Sequence, residues 1–513
     1  IYTGEDTLSL HDALPIFNGN GNTIQFAPPA TTDFAIVRFN NGDYYRLKRL
    51  TIKSTSINYG WGIHIYTGSD NNIIDSCNID LTTVTNTTST YSAGIVFSNS
   101  LTSPTTSGTN GYFNVVSNCN IIGNPTSGGG LYYGIVGGPS TSAATVSSNK
   151  FYNNTIQDFY AYGIYWQYGN GTTFDGNTIK RTSTKTGFTT TTYAFSLNNG
   201  GRQDTIRNNT ITDLFAGSAT STSTCYGIYA INYSGASATQ PNVVDNNLFN
   251  FNTGTGAHFG MYMLSAGNFA LRNNTFAFHN NTVTSSYQSY AFYSNVGTSV
   301  GYGFDIRNNI FFNNRTSTVG LFYTYYIAGA FNAGNTLGKN SYFGAASSYK
   351  LANVNGVDYS NLSSYNTYMG STDLTSTDYN PNFVNATARN FAPQDGWFDG
   401  NGVAMPHITK DVTGATRTSP IDIGAYEASP AGLDVAYASL TLPVAPYAAG
   451  VQTASATIRN AGSTTITSAV INWTVNGVAQ TPVNFSGSLA GGATSSSITL
   501  GTFNTQVGTI YNI

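Results

Sequence analysis

The chain repeats itself, and the repeat limits what it can fold into. A six-residue pattern runs apolar, any, any, Asn or Cys, any, apolar. It reads IDSCNI (74–79), VSNCNI (116–121), VSSNKF (146–151), FDGNTI (174–179), IRNNTI (206–211), VDNNLF (244–249), LRNNTF (271–276), IRNNIF (306–311) and LGKNSY (337–342). Successive copies lie 27 to 42 residues apart. Self-similarity at such a period marks a solenoid, in which one turn cannot bury its own inward side chains and stacking buries them together. A second pattern alternates with the first: an aromatic or small residue, then Gly or Ala, then apolar, any, apolar. It reads WGIHI (61–65), YGIYW (162–166), YAFSL (193–197), YGIYA (226–230), FGMYM (259–263) and YAFYS (290–294), with looser copies AGIVF (93–97), YGIVG (133–137) and VGLFY (319–323). Period-two alternation inside these copies specifies strand rather than helix. The expected fold is all-β: a right-handed parallel β-helix of about ten coils over residues 17–427, with a degenerate coil at 36–52.

Composition agrees and removes several function classes. Charged residues are 8% of the chain, against about 25% in an ordinary globular protein. Hydrophobic residues are 40%, enough for an extensive core. The net charge of −3 gives no basic footprint for nucleic acid. No apolar run has the roughly 20 residues of a membrane-spanning helix. Three cysteines are too few for a disulfide framework. After the short linker 428–432 the texture changes to brief alternating strands with an Asn476-Gly477 hairpin signal, which predicts a small antiparallel sandwich over 433–513.

In a solenoid, equivalent positions stack into ladders. The repeated amide position gives Asn149, Asn177, Asn209, Asn247, Asn274, Asn309 and Asn340, which can bond their neighbours above and below. Cys77 and Cys119 share that slot in adjacent coils and are expected to be stacked, buried and unbridged, because parallel Cβ vectors suit a disulfide poorly. One place after the leading apolar residue stand Asp175, Arg207, Asp245, Arg272 and Arg307. Alternation turns them outward, and surface ion pairs Asp175–Arg207 and Arg207–Asp245 are expected. The same residues are the weak candidates for catalysis. In the second pattern the outward slot reads Tyr165, Ser196, Tyr229, Tyr262, Tyr293 and Phe322, a row that either stacks on itself or offers a glycan apolar contact area. His64, His258, His279 and His407 have no metal-ligand spacing and are expected at the surface. Glycosidases use a carboxylate pair, yet beyond residue 16 the one Glu is Glu427, and neither DD nor GHG occurs.

Three resemblances complete the reading. TLSLHDALPI (7–16), with IYT before it, resembles a translated sequencing adapter, so residues 1–16 are set aside as an artefact that contributes little to the core through Leu8, Leu10 or Leu14. DYNPNFVN (378–385) and DVTGATRTSPIDIGAYE (411–427) resemble the closing signature of exported bacterial β-helix repeat proteins of Bacteroidetes type, whose fold is that of pectate lyases. IRNAG, WTVNG and LAGGA resemble the adhesion-type immunoglobulin-like domain called CARDB, here cut short at its C-terminus. The resemblances imply the fold and export; together with the residues above, the expectation is a monomeric extracellular or cell-surface protein with a polysaccharide or cell-surface glycan as partner, no cofactor and no catalysis. The alternative is a polysaccharide lyase or hydrolase acting on an acidic polymer; a lyase would call for Ca2+.

Overall fold

The structure is a computed structural model that describes residues 15–29, 32–279, 282–283, 286–295, 303–317, 319–329, 335–373, 375–443 and 448–513. The expectation about Leu8, Leu10 and Leu14 lies outside these residues. Ile16, the last of the adapter-like residues, is 56% exposed.

The chain divides into two compact units, the first running to Asp378 with Lys410–Ala415 added, the second comprising Tyr379–Thr409 and Thr416–Ile513. The first is a parallel β-helix. Three sheets run along it. Sheet A stacks eleven strands from Ile16–Asn18 to Thr336–Gly338, and sheet B eleven from Thr23–Phe26 to Ser341–Phe343. Sheet C has twelve, from Ala35–Asn40 to Tyr349–Val354 and its antiparallel neighbour Val357–Tyr359. Eleven rungs stand where about ten coils were expected, because Ile16–Asn40 forms an additional first coil.

The apolar letters of the first pattern supply the core. Ile74, Val116, Phe174, Ile206, Val244, Leu271 and Ile306 stack inward from sheet A, and Ile79, Ile121, Ile179, Ile211, Phe249, Phe276 and Phe311 from sheet B, each no more than 2% exposed. The corner between A and B turns on one residue in the left-handed region, with φ of 57° at Asn208, 58° at Asn246, 54° at Asn273 and 58° at Asn308. Asn tolerates that conformation better than other residues with a Cβ, which explains the doubled Asn-Asn of these coils.

The helix Leu362–Met369, capped by the Asn361 side chain on the Ser364 N–H, buries Tyr365 and Met369 beside the last rung. At the other end Phe17, Ile24, Phe39, Leu47 and Leu50 line a cavity of about 640 Å³.

The expected boundary at residue 427 falls elsewhere. The last parallel strand ends at Val354, and most of the closing signature belongs to the second unit. There Arg417 Nη1 reaches Glu427 Oε1 at 3.2 Å, and Asp422 accepts the N–H groups of Gly400 and Ala428 at 2.7 Å each. These residues lock irregular loops. The same unit carries a three-stranded antiparallel sheet, a two-stranded sheet of Ile466–Ile471 and Val483–Leu489, and a small hairpin turning at Asn476-Gly477. Ala454, Ala456 and Leu500 of the larger sheet pack with Ile471 of the smaller.

Candidate functional site

The amide ladder is a buried spine. The N–H and Nδ2 of Asn154 both donate to Asn177 Oδ1 at 3.0 Å, and Asn177 repeats the arrangement on Asn209 at 2.8 and 2.9 Å. The chain of contacts continues through Asn247, Asn274 and Asn309 to Asn340. Each Nδ2 also donates to a carbonyl of the preceding coil, as Asn177 does to Phe151. Every buried polar atom of the amide is thereby matched. Cys77 and Cys119 occupy the slot in the early coils, buried and free.

Asn149 does not belong to this spine. The coil's true copy of the pattern is FYNNTI (151–156), which puts Asn154 in the slot, while Val146 of VSSNKF is 51% exposed. Two overlapping Asn signals five residues apart created the slip. Asn149 sits instead at the corner between C and A, in a second ladder. There its Oδ1 accepts the Asn114 N–H at 2.9 Å, and Asn114 Oδ1 accepts the Asn72 N–H at 2.8 Å. Asp204 holds the equivalent place two coils later, accepting the Thr172 N–H at 2.7 Å and the Tyr233 hydroxyl. Burial pushes its carboxyl up to about 7.

Asp175, Arg207, Asp245, Arg272 and Arg307 do stand in one register column. The pairs differ from expectation. Arg207 reaches back to Asp175 at 2.8 Å, and Asp245 is held by Arg272 at 3.1 Å, so Arg207–Asp245 does not form. Arg307 turns to Asp305 on its own strand. Asp245 was expected at the surface but is buried, beside Asn246, whose Nδ2 donates to Lys410 O at 2.9 Å. The segment around Lys410 crosses this face, which local periodicity has no means of announcing. The charged groups considered for catalysis are thus engaged with one another.

Two histidines also depart from expectation. His64 lies on the outer side of its strand but is fully buried, with Nδ1 accepting from Arg38 and Nε2 donating to Ser98 O at 2.9 Å. Burial, with Arg38 beside it, pulls its pKa down to about 4. His258 faces the interior, and burial lowers its pKa too. Among the described residues no group of three or more His, Cys, Asp or Glu is placed to hold a metal ion.

Sheet C carries an extended aromatic face. Its geometry comes from the small second letter of the YGIYW pattern. At Gly163 a Cβ would lie 2.7 Å from the Ala194 carbonyl oxygen and 2.7 Å from Ile179 Cγ2. The strand kinks there, so register skips the small residue, pairing Tyr162 with Tyr193 and Ile164 with Phe195. Both the first and fourth letters then turn outward. The result is two columns. The inner one, Tyr133, Tyr162, Tyr193, Tyr226, Phe259, Tyr290 and Tyr323, stacks at 4.6–5.3 Å with planes within 21° of parallel. The outer one runs Tyr229, Tyr262, Tyr293 and Tyr326 at 4.6–5.4 Å and within 12°. Rings of the two columns meet at 63° and 75° around Tyr226 and at 87° between Phe259 and Tyr262, a herringbone that favours both stacked and edge contacts.

Tyr165, Tyr229, Tyr262 and Tyr293 therefore lie where expected, half-buried on the outer face. Phe322 does not. It is fully buried over the Arg315 guanidinium, and its slot belongs to Tyr326. The copy is YTYYI (323–327), with Thr324 in the small slot; the Gly of VGLFY misplaced it by one motif. The whole inner column went unread, because strict alternation turns the first letter inward. The recurrent leading Tyr was the signal available.

No family model matches the chain, and no curated protein matches it. Among solved structures, the Dettilon tailspike protein (gp208) aligns with 96% of this chain and 82% of its own, at 11% identity and a TM-score of 0.34. At that score the likeness carries no argument, and the assignment to the parallel β-helix class rests on the three sheets themselves.

Proposed function

We propose that this chain is an exported bacterial surface protein that binds polysaccharide on the tyrosine face of sheet C and does not cleave it. The observation that carries the reading is the aromatic face, whose inner column is unbroken from Tyr133 to Tyr323 and whose outer column runs from Tyr229 to Tyr326, partly open to solvent. It offers ring edges and phenol hydroxyls at the rung spacing of about 4.8 Å. A polymer of sugar rings has repeated hydroxyls and apolar C–H faces to match such a surface. The pairing of Arg207 with Asp175 and of Arg272 with Asp245 supports a non-catalytic reading, since a base held by a carboxylate is poorly placed to take a proton from substrate. No metal or cofactor is required. The small antiparallel sheets of the second unit fit a module that positions a binding surface.

Affinity electrophoresis of the chain through gels containing pectin, alginate, chondroitin sulfate or xylan tests the proposal. At least one polymer should retard it, and the double substitution Tyr229→Ala, Tyr262→Ala should relieve that retardation at least fivefold. Equal retardation of the double variant would remove the tyrosine face from the account.

A further inference from the structure

The outer column places one reactive side chain at the same register position of four successive rungs: Tyr229, Tyr262, Tyr293 and Tyr326. Neighbouring rings stack at 5.4, 4.6 and 4.8 Å, with planes 12°, 1° and 12° apart. Tyr262 and Tyr293 are thus related by little more than a translation of one rung, and each Cε of one ring faces a Cε of the next.

Phenols held in this way are set for one-electron chemistry. Oxidation takes an electron from the ring and a proton from the hydroxyl, and leaves a phenoxyl radical whose unpaired electron is shared with the Cε carbons. Two neighbouring phenoxyls join by a Cε–Cε bond. The hydrogens on those two carbons then move to the oxygens and restore both phenols. The two electrons go to a peroxide, whose O–O bond breaks, and the two protons go to water or to the oxygens released. Holding the two rings side by side replaces a slow encounter of two dilute radicals with a reaction inside one molecule.

The surroundings direct the oxidation to this column. Cys77, Cys119 and Cys225, thiols that an exposed position would make the first target of an oxidant, are buried. In the inner column Tyr290 and Tyr323 are 7% and 4% exposed, and Tyr226 is enclosed by Tyr193, Phe259, Tyr229 and Tyr262. The four outer rings are half-buried and keep an edge toward water, where the phenol proton can leave.

We propose that the outer column is a site of oxidative cross-linking, at which a peroxide-driven one-electron oxidant joins adjacent rungs through dityrosine, Tyr262–Tyr293 foremost. The inference goes beyond glycan binding and does not depend on it. Each such bond ties two coils together and restricts the unfolded chain, as a disulfide does.

Photo-oxidation of the dilute folded chain with ruthenium tris-bipyridyl and persulfate, followed by digestion and mass spectrometry, tests it. Linked peptides joining neighbours of the outer column should outnumber those containing Tyr44, Tyr368 or Tyr437 by at least about fivefold, although these three are 44%, 43% and 69% exposed. The oxidised chain should keep its circular dichroism spectrum and gain in Tm. The same treatment in urea should abolish the column links. Tyr262→Phe keeps the stack but leaves Tyr293–Tyr326 as the one coupling pair among the four, and should lower dityrosine fluorescence at least about twofold. Links formed mainly at Tyr44, Tyr368 or Tyr437, undiminished dityrosine in Tyr262→Phe, or no dityrosine in the folded chain overturns the proposal.

Discussion

Asp204 takes the place in the corner ladder that Asn72, Asn114 and Asn149 hold in earlier coils, and it does the same work of accepting a backbone N–H from the preceding coil. A carboxylate there must be buried, and burial raises its pKa from 3.8 to about 7. An acid whose folded pKa is raised keeps its full contribution to stability below pH 3.8 and loses it as pH rises through 7. Asp204→Asn removes that loss. The variant should match the parent near pH 4 and exceed it at pH 8 by on the order of 4 kcal/mol in urea unfolding; an equal difference at both pH values would show that the carboxylate is not buried as described. His64 acts in the opposite sense, since a base with its pKa drawn down to about 4 costs stability as pH falls from 6.5. The amide spine has its own test. Asn209→Ala leaves the buried Asn177 N–H without its acceptor and should cost about 2–3 kcal/mol in the same assay. By contrast Arg207→Ala, which breaks an exposed pair, should cost less than about 1 kcal/mol.

The kink at the small slot of sheet C decides which side chains form the outer face. Gly163→Val would drive its branches into the Ala194 carbonyl and Ile179, and should lower stability by about 1–3 kcal/mol while exposing Tyr162 and Tyr165 to faster amide exchange in their strand. The rungs, the inward columns and the ladder from Asn177 to Asn340 were legible in the sequence because each depends on a local pattern repeated at the strand period. What stayed hidden depends on departures from that period. The kink turns Tyr162 and Tyr165 to the same side, against alternation. Two asparagines five residues apart made Asn149 stand in for Asn154, and Thr324 in the small slot hid Tyr326 behind Phe322. Asp245 and His64 are buried by chain that arrives from elsewhere, Lys410 beside the first and Ser98 over the second.

In the first unit, one long apolar core is built from many weakly different rungs, closed near Val354 by the Leu362–Met369 helix and decorated on one side by a herringbone of tyrosines. The charged residues are few, and the arginines of the sheet A column pair with carboxylates. Such a body has the stiffness and the periodic surface to hold a polymer, and its candidate acids and bases are tied up in pairs. The most direct measurement incubates the chain with the polymer that retards it and follows both the bound fraction and the appearance of reducing ends and of 4,5-unsaturated uronate absorbance. Saturable binding with neither product over days is the predicted result. Release of either product, abolished by Arg207→Ala or Arg272→Ala, would contradict the account and make the charged column of sheet A an active site.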